Sequence, residues 1–241
     1  MIRQGEALRA AGREYLAGAQ QQGARPVAVG QKFDPAGGVL RFAGNTFLCH
    51  IDPESPAHAA LTEASLALQQ GPLAQAFTFL PPSSFHMTVF EGVCDAHRSG
   101  DRWPEGLGPD TPLDQVTDAF SAATARLALP QTHAIRPTGI FAGFSVAVSG
   151  ADAGAEASLR QTRQALRAAT GIRRADFDSY DFHITLGYLL HWLTPDQAEA
   201  VLDLSQTVFA RLLSRAPVIP LGPVEFCRFD DMHAFRLIRH L

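Results

Sequence analysis

Two short segments of the sequence carry the same arrangement of residues, in which a histidine and a threonine flank one apolar residue. The first segment is Phe85-His86-Met87-Thr88-Val89, and the second is Phe182-His183-Ile184-Thr185-Leu186. In a β-strand, side chains alternate between the two faces, so each histidine shares a face with the threonine that follows it. Because the pattern is repeated, we expect a duplicated architecture in which the two copies meet at one cleft.

Two imidazoles and two hydroxyls at one site are suited to in-line displacement at phosphorus. Histidine titrates near neutral pH, so one imidazole can accept a proton from the attacking group while the other protonates the departing oxygen. The hydroxyls can donate hydrogen bonds to the phosphoryl oxygens, on which negative charge develops. We therefore predict that His86, Thr88, His183 and Thr185 are catalytic, with neither a metal nor a cofactor. The residue pattern around both histidines is the same, so the sequence does not decide which histidine is the base and which is the acid.

Three neighbouring residues are predicted to bind the substrate. Phe90 falls on the same strand face as the first histidine if the alternation continues, where it can stack on a base or wall the cleft. Arg98 follows in a polar loop and offers a guanidinium to a phosphate. Tyr180 precedes the second segment and offers a phenol at the rim of the cleft. The arginines between positions 163 and 174 are predicted to form a solvated helix face and loop.

The composition excludes several classes of protein. The 241 residues are 46% hydrophobic and 18% charged, which is typical of a soluble globular protein. No apolar run approaches the roughly 20 residues of a membrane-spanning helix, so we expect a cytoplasmic protein without a membrane partner. The net charge of −4 argues against binding to long nucleic acids. Three scattered cysteines predict neither a disulfide framework nor a thiolate zinc site, and the other histidines lack metal-ligand spacing.

The elements that must position the two segments alternate between helices and closely spaced strands. Short links between strands imply antiparallel pairing. We predict an α+β fold with two pseudo-symmetric lobes of mostly antiparallel β-sheet, helices packed outside, and a central cleft. Without a linker, residues 1–241 form a single bilobal domain, with 1–24 as an N-terminal helical extension.

Local patterns give the bounds of individual elements. The stretch 94–112 is predicted to be a long loop that acts as a binding element or a lid. Helices are predicted at 5–22, 56–70, 113–127, 155–170 and 195–213, and the first strands at 27–33, 39–42 and 46–51.

The two segments resemble the paired HxT signatures of the 2H phosphoesterase superfamily, whose members include 2′,3′-cyclic nucleotide phosphodiesterases and bacterial RNA 2′,5′-ligases. The flanking stretches 85–93 and 180–188 are similar to a branch in bacteria and fungi without an assigned substrate. The resemblance covers about residues 25–240. It implies that the two histidines form the acid/base pair and that the two threonines bind the phosphate. The N-terminal extension and the loop 94–112 depart from the cyclic phosphodiesterase members.

The leading functional hypothesis is a metal-independent phosphoesterase that hydrolyses or transfers a cyclic phosphodiester of a nucleotide or nucleotide-derived molecule. One alternative keeps the site but acts as an RNA 2′,5′-ligase or an RNA-end processing enzyme. Another is a nucleotide-binding sensor without turnover. The expected partner is a small-molecule nucleotide or an RNA-end phosphate, and we expect the protein to act as a monomer.

Overall fold

A computed structural model of the chain describes residues 5–19 and 23–241. The described part contains α-helices α1 Glu6–Leu16, α2 Pro56–Gln69, α3 Leu113–Thr124, α4 Ala153–Thr170 and α5 Pro195–Arg215. Its strands are β1 Gly44–His50, β2 Phe77–Phe79, β3 His86–Cys94, β4 His133–Phe141, β5 Ser145–Gly150, β6 His183–Thr185, β7 Gly187–Leu189, β8 Ile219–Leu221, β9 Glu225–Phe229 and β10 Phe235–His240. Three short 3-10 helices lie at Ala74–Ala76, Pro82–Ser84 and Gly100–Arg102.

Eight strands form one antiparallel sheet in the order β10-β9-β1-β3-β6-β5-β4-β8, and β2 pairs with β7 in a small second sheet. The α+β prediction is confirmed. The two four-stranded halves of the large sheet meet at β3 and β6, which contain the two repeated segments. The first half takes its strands from both ends of the chain, because β9 and β10 return to pair beside β1. The organisation of residues 1–241 as a single domain stays a prediction.

The sheet separates an apolar layer from the cleft. Met87 and Ile184, which alternate with the histidines and threonines, are fully buried. Helix α4 packs on β3, β4 and β5, and α3 packs on α4, so these helices cover the apolar side. Helix α5 packs on β4, α1 and α2. No helix in the described ranges is both long and apolar enough to cross a membrane.

Local signals set most helix ends. The Ser55 side chain accepts a hydrogen bond from the backbone N–H of His58 at the start of α2. Thr194 and Gln197 form a reciprocal capping box at the start of α5. Gly171 ends α4 with a left-handed conformation, φ 72°. The predicted helix at 5–22 corresponds to the shorter α1, and its residues 20–22 lie outside the described residues.

Two predicted strands are wrong, because 27–33 and 39–42 lie in an irregular loop with only isolated bridges. The Asp34 carboxylate accepts hydrogen bonds from the backbone N–H groups of Ala36 and Gly38, which folds the chain into a tight turn instead of a regular hairpin. Phe33 is fully buried and pins the loop to the core. The apolar residues that led to the strand prediction therefore anchor a loop that lines the cleft.

A β-bulge interrupts the pairing of β3 with β1. Phe47 pairs with Phe90 and the next residue, Leu48, pairs with Thr88, so Val89 is the extra residue on β3. The carbonyl of Val89 accepts a hydrogen bond of 2.6 Å from Nη1 of Arg163 on α4. Helix α4 therefore supplies a hydrogen-bond donor to the carbonyl of the bulged residue.

Arg163 is a core residue, which corrects the prediction of a solvated arginine face. Its residue exposure is 2%, and its Nη2 donates to the carbonyl of Phe177 at 3.2 Å. The guanidinium also lies over the ring of Tyr180, 4.1 Å from the centroid. A cation is tolerated here because aromatic faces and carbonyl oxygens replace water around it.

Replacing Arg163 by Met keeps most of the apolar volume but leaves the carbonyls of Val89 and Phe177 without a partner. We expect the free energy of unfolding to fall by about 2–4 kcal/mol, because each buried unpaired carbonyl costs about 1–3 kcal/mol. Urea unfolding measures this change. The control is Arg211→Met at an exposed position of α5, where we expect a change of about 0.5 kcal/mol or less. Equal stability of the two variants would contradict the bulge-supporting role of Arg163.

Candidate active site

The pairing of β3 with β6 brings the two repeated segments together. Met87 pairs with Ile184 in an antiparallel register. Continuing this register by one residue on either side sets His86 opposite Thr185 and sets His183 opposite the other threonine, Thr88. On one sheet face, diagonal neighbours of this kind are about 7–8 Å apart, which leaves room for a phosphate between the imidazoles. All four side chains line one cleft with a volume of about 820 Å³.

The two imidazoles are held in the same way. Nδ1 of His86 lies 2.7 Å from the carbonyl oxygen of Ser84, and Nδ1 of His183 lies 2.9 Å from that of Asp181. Because a carbonyl only accepts hydrogen bonds, Nδ1 carries the proton in each ring. Nε2 is then the nitrogen that each histidine presents for proton transfer. Both copies of the repeated segment therefore share the backbone contact that selects the histidine tautomer.

The ring of His86 packs against other ring side chains on one side. The ring of Phe235 lies 4.2 Å from that of His86 between centroids, and the ring of His50 lies at 6.1 Å. Burial, assisted by the charges of His50 and His183 and opposed by the hydrogen bond to Ser84 and the charge of Glu225, lowers the pKa of His86 to about 4. His86 is accordingly a neutral imidazole at neutral pH.

A second pair of titratable groups lies behind His86. Nδ1 of His50 is 2.7 Å from a carboxylate oxygen of Glu225, whose side chain is 15% exposed. Burial by itself raises the pKa of Glu225, but the hydrogen bond and charge of His50 bring it below its ordinary value. On the corresponding strand of the other half, Ala147 pairs with His183. The two histidines of the repeat therefore have unlike neighbours.

The surroundings of His183 include Tyr180, which also lines the cleft. Its ring lies 5.9 Å from that of His183 between centroids. Burial raises the pKa of the Tyr180 phenol, so the hydroxyl stays protonated at neutral pH. Ser145 pairs with Thr185 and brings a further hydroxyl to the lining. Among the predicted substrate-binding residues, Tyr180 is the one that the structure brings to the cleft.

The predicted positions of Phe90 and Arg98 are wrong. The bulge at Val89 reverses the alternation, so Phe90 is fully buried, packs beside Phe47, and leaves the cleft side to Glu91. The guanidinium of Arg98 donates hydrogen bonds within its own loop, to the Asp95 carboxylate and to the carbonyls of Pro109 and Thr111. It is absent from the lining of the cleft.

Several residues of the cleft were missed by the sequence prediction. Arg174 belongs to the group that was predicted to be solvated, yet its side chain is only 10% exposed and forms an ion pair with Glu91 at 2.9 Å. Arg102 lies in the predicted loop 94–112 and lines the cleft, and the role of this loop as a binding element stays a prediction. No short spacing in the sequence marks these residues, which come from separate segments. The additional lining residues include Lys32, Glu91, His97, Arg102, Ser145, Arg174 and Tyr188.

One group of possible metal ligands lies at the edge of the site. Ligand atoms of His50, Glu225 and Cys227 lie within 4.8 Å of one another. His50 is distant in sequence from Glu225 and Cys227, so ligand spacing does not reveal the group. In the structure the imidazole and the carboxylate are hydrogen-bonded to each other, and the Cys227 thiol lies 3.8 Å from Glu225.

The comparison with known proteins agrees with this geometry. A family model described as "2H-phosphodiest: Domain of unknown function (DUF1868)" matches residues 32–138, which include His86 and Thr88. The crystal structure of a conserved protein of unknown function, ATU0111 from Agrobacterium tumefaciens str. C58, superimposes with a TM-score of 0.88 at 32% identity, covering 98% of this chain and 99% of that chain. This chain belongs to the 2H phosphoesterase superfamily. No curated protein matches the chain.

Membership in the 2H phosphoesterase superfamily supports a phosphoesterase-type function. The family model ends before the second segment, whereas the likeness to the A. tumefaciens protein extends over almost the whole chain. The fold of the A. tumefaciens protein is therefore shared by both halves of the sheet, including the strand that contains His183 and Thr185.

The unusual environment of His86 leads to a prediction about its titration. We expect its imidazole to stay neutral down to about pH 5 and to protonate near its pKa of about 4, whereas an unfolded histidine protonates near 6.5. Between these values the unfolded chain binds the proton and the folded chain does not. The free energy of unfolding therefore falls as the pH falls from 6.5 towards 4.

An NMR titration of the histidine ring resonances, assigned with His86→Asn, measures the pKa directly. Urea unfolding at several pH values tests the linkage, and His86→Asn should lack this contribution to the pH dependence. Protonation of His86 near pH 6.5 in the folded protein would show that burial does not control it.

Proposed function

We propose that the protein is a metal-independent phosphoesterase that opens a cyclic phosphodiester of a nucleotide or nucleotide-derived molecule. The observation that carries the proposal is the pair of imidazoles at one cleft, each anchored through Nδ1 to a backbone carbonyl, with a threonine hydroxyl opposite each. This arrangement supports the proposal, because it brings two proton-transfer groups and two hydroxyl donors to one cleft.

We assign the role of general base to His86. Its pKa of about 4 leaves the ring neutral at neutral pH, so Nε2 can accept a proton from water. The oxygen of that water then forms a bond to phosphorus on the side facing His86.

His183 supplies the acid in this proposal. As the bond between phosphorus and the ring oxygen of the cyclic ester breaks, protonated His183 gives its Nε2 proton to the departing oxygen. The product is a phosphomonoester with a free hydroxyl, and the site is reset when the extra proton on His86 exchanges with the vacancy on His183. Opposing protonation states of the two rings predict a bell-shaped dependence of the rate on pH.

Thr88 and Thr185 stabilise the transition state. Their hydroxyls lie on the same strand face as the imidazoles and donate to the non-bridging phosphoryl oxygens, where negative charge accumulates. Tyr180, held protonated, provides a further donor at the side of His183.

Replacing either His86 or His183 by Ala removes one proton-transfer group. With 2′,3′-cyclic nucleotides as substrates, we expect kcat to fall by about 10²–10⁴-fold in each variant. A steady-state assay of ring opening measures the change. His191→Ala, at an exposed position outside the cleft, is the control and should retain the wild-type rate. Unimpaired turnover in either catalytic variant would refute the two-histidine mechanism.

The same assay with EDTA tests independence from metals. We expect an unchanged rate. A loss of activity that is restored by zinc would instead assign a role to the cluster of His50, Glu225 and Cys227.

The threonines provide a matched pair of substitutions. Thr88→Val or Thr185→Val keeps the shape but removes the hydroxyl, so we expect kcat to fall by about 10–10³-fold. Thr88→Ser and Thr185→Ser retain the donor and should recover most of the rate. Kinetics of all four variants separate the hydrogen bond from packing, and equal losses in the Val and Ser variants would exclude phosphate stabilisation by the hydroxyl.

A further inference from the structure

The cleft is much longer than the four-residue site at its floor, and one end of it is cationic. Lys32 from the loop before β1, Arg102 from the 3-10 helix Gly100–Arg102, and Arg174 after α4 all line it. These residues come from three separate segments of the chain. Their meeting at one end of a cleft in a chain of net charge −4 indicates a local positive field.

The three cations are close enough to act on the same neighbours. Burial lowers the pKa of His97, and the charges of Arg102, Lys32 and Arg174 lower it further. Burial raises the pKa of the Cys94 thiol, and the charges of Lys32 and Arg102 oppose that rise. His97 therefore lies near all three charges, and Cys94 lies near Lys32 and Arg102.

The positive charge at this end is only partly balanced by the protein. Arg174 forms ion pairs with Glu91 at 2.9 Å and Asp176 at 2.7 Å. In contrast, neither Lys32 nor Arg102 forms an ion pair with any carboxylate in the described part of the chain. Lys32 is half-buried and Arg102 is exposed. The hydrogen bond of Arg174 and, more weakly, the charge of Arg102 lower the pKa of Asp176. With no carboxylate in direct contact, Lys32 and Arg102 are suited to an anionic ligand at the lining of the cleft.

Lys32 is held at the lining by aromatic rings. Its Nζ lies 5.0 Å from the ring centroid of Tyr188 and 5.2 Å from that of Phe42, and 3.5 Å from the Tyr188 hydroxyl. These contacts orient the ammonium without neutralising it. They also provide an apolar wall beside the charge, which fits the ribose or base of a nucleotide better than an isolated inorganic ion.

Strand β3 gives the distance from the catalytic residues to the cationic end. Glu91, the partner of Arg174, follows Thr88 by three residues, and Cys94 follows it by six. At about 3.3 Å per residue, the cations lie about 10–20 Å from the phosphate position between the histidines. This separation exceeds the size of one phosphate group, so the cations would meet a second anionic group of the substrate and not the attacked phosphate.

We propose that Lys32, Arg102 and Arg174 form a second anion subsite, which binds a phosphate of the substrate other than the one that is attacked. The substrate class is then a nucleotide with a cyclic phosphodiester at one end and a separate phosphate or diphosphate at the other. The inference rests on the proposed function for the identity of the attacked group, but the subsite itself can be tested without turnover.

The kinetic test compares adenosine 2′,3′-cyclic phosphate carrying a 5′-hydroxyl with the same compound carrying a 5′-diphosphate. We expect the wild-type protein to prefer the 5′-diphosphate form by about tenfold or more in kcat/KM, mainly through KM. Arg102→Gln and Lys32→Met should each bring this ratio towards 1. Arg211→Gln, at an exposed position on α5, is the control and should keep the wild-type ratio. An equal decrease with both substrates would overturn the proposal.

A binding test separates the subsite from catalysis. Adenosine 5′-diphosphate and adenosine are titrated into the wild-type protein and into Arg102→Gln, with affinity measured by calorimetry and thermal stabilisation. The proposal predicts tighter binding of the 5′-diphosphate by the wild type and loss of that difference in Arg102→Gln. If binding follows this pattern but neither cyclic compound is turned over, the proposed function fails and the subsite stands. Equal binding of both ligands by the wild type would refute the subsite.

Discussion

The pairing of Met87 with Ile184 is the contact on which the candidate site depends. It joins the two halves of the large sheet and, through the alternation of side chains, sets both histidines and both threonines on one face. A shift of one residue in this register would turn the histidine and the threonine of one of the two strands towards the apolar layer under α4. The register is held because Met87 and Ile184 are fully buried, so the same alternation that exposes the imidazoles fills the core.

The bulge at Val89 is a second constraint, because it ends the alternation just after His86 and Thr88. Phe90 moves into the core and Glu91 takes the cleft side, where it meets Arg174. The bulge is stabilised by the buried guanidinium of Arg163, which binds the Val89 carbonyl. Helix α4 therefore does more than cover the sheet. It supplies a donor to the bulge, beyond which strand β3 turns the charged side chain of Glu91 towards the cleft.

The site combines a symmetric frame with asymmetric surroundings. The contact between each Nδ1 and the carbonyl two residues earlier is the same in both segments. The neighbours differ, because His50 and Phe235 lie beside the ring of His86, whereas Ala147 and Tyr180 lie beside His183. The proposed acid/base chemistry needs two groups in opposite protonation states. The second half of the sheet repeats the geometry, whereas the side chains around each histidine differ.

Much of this protein follows from the sequence alone, since it depends on interactions between residues that are near one another in the chain. Residue types and period-two alternation identified the two HxT segments, the helix caps at Ser55 and Thr194 set helix starts, and the element order predicted an α+β fold. Only the tertiary structure decided that Phe90 is buried, that Arg98 serves its own loop, and that Lys32, Arg102 and Arg174 share one end of the cleft. A bulge depends on the partner strand, and a cluster of cations depends on where loops cross the sheet. Neither leaves a periodic signal, because the physical cause is contact between segments far apart in the chain.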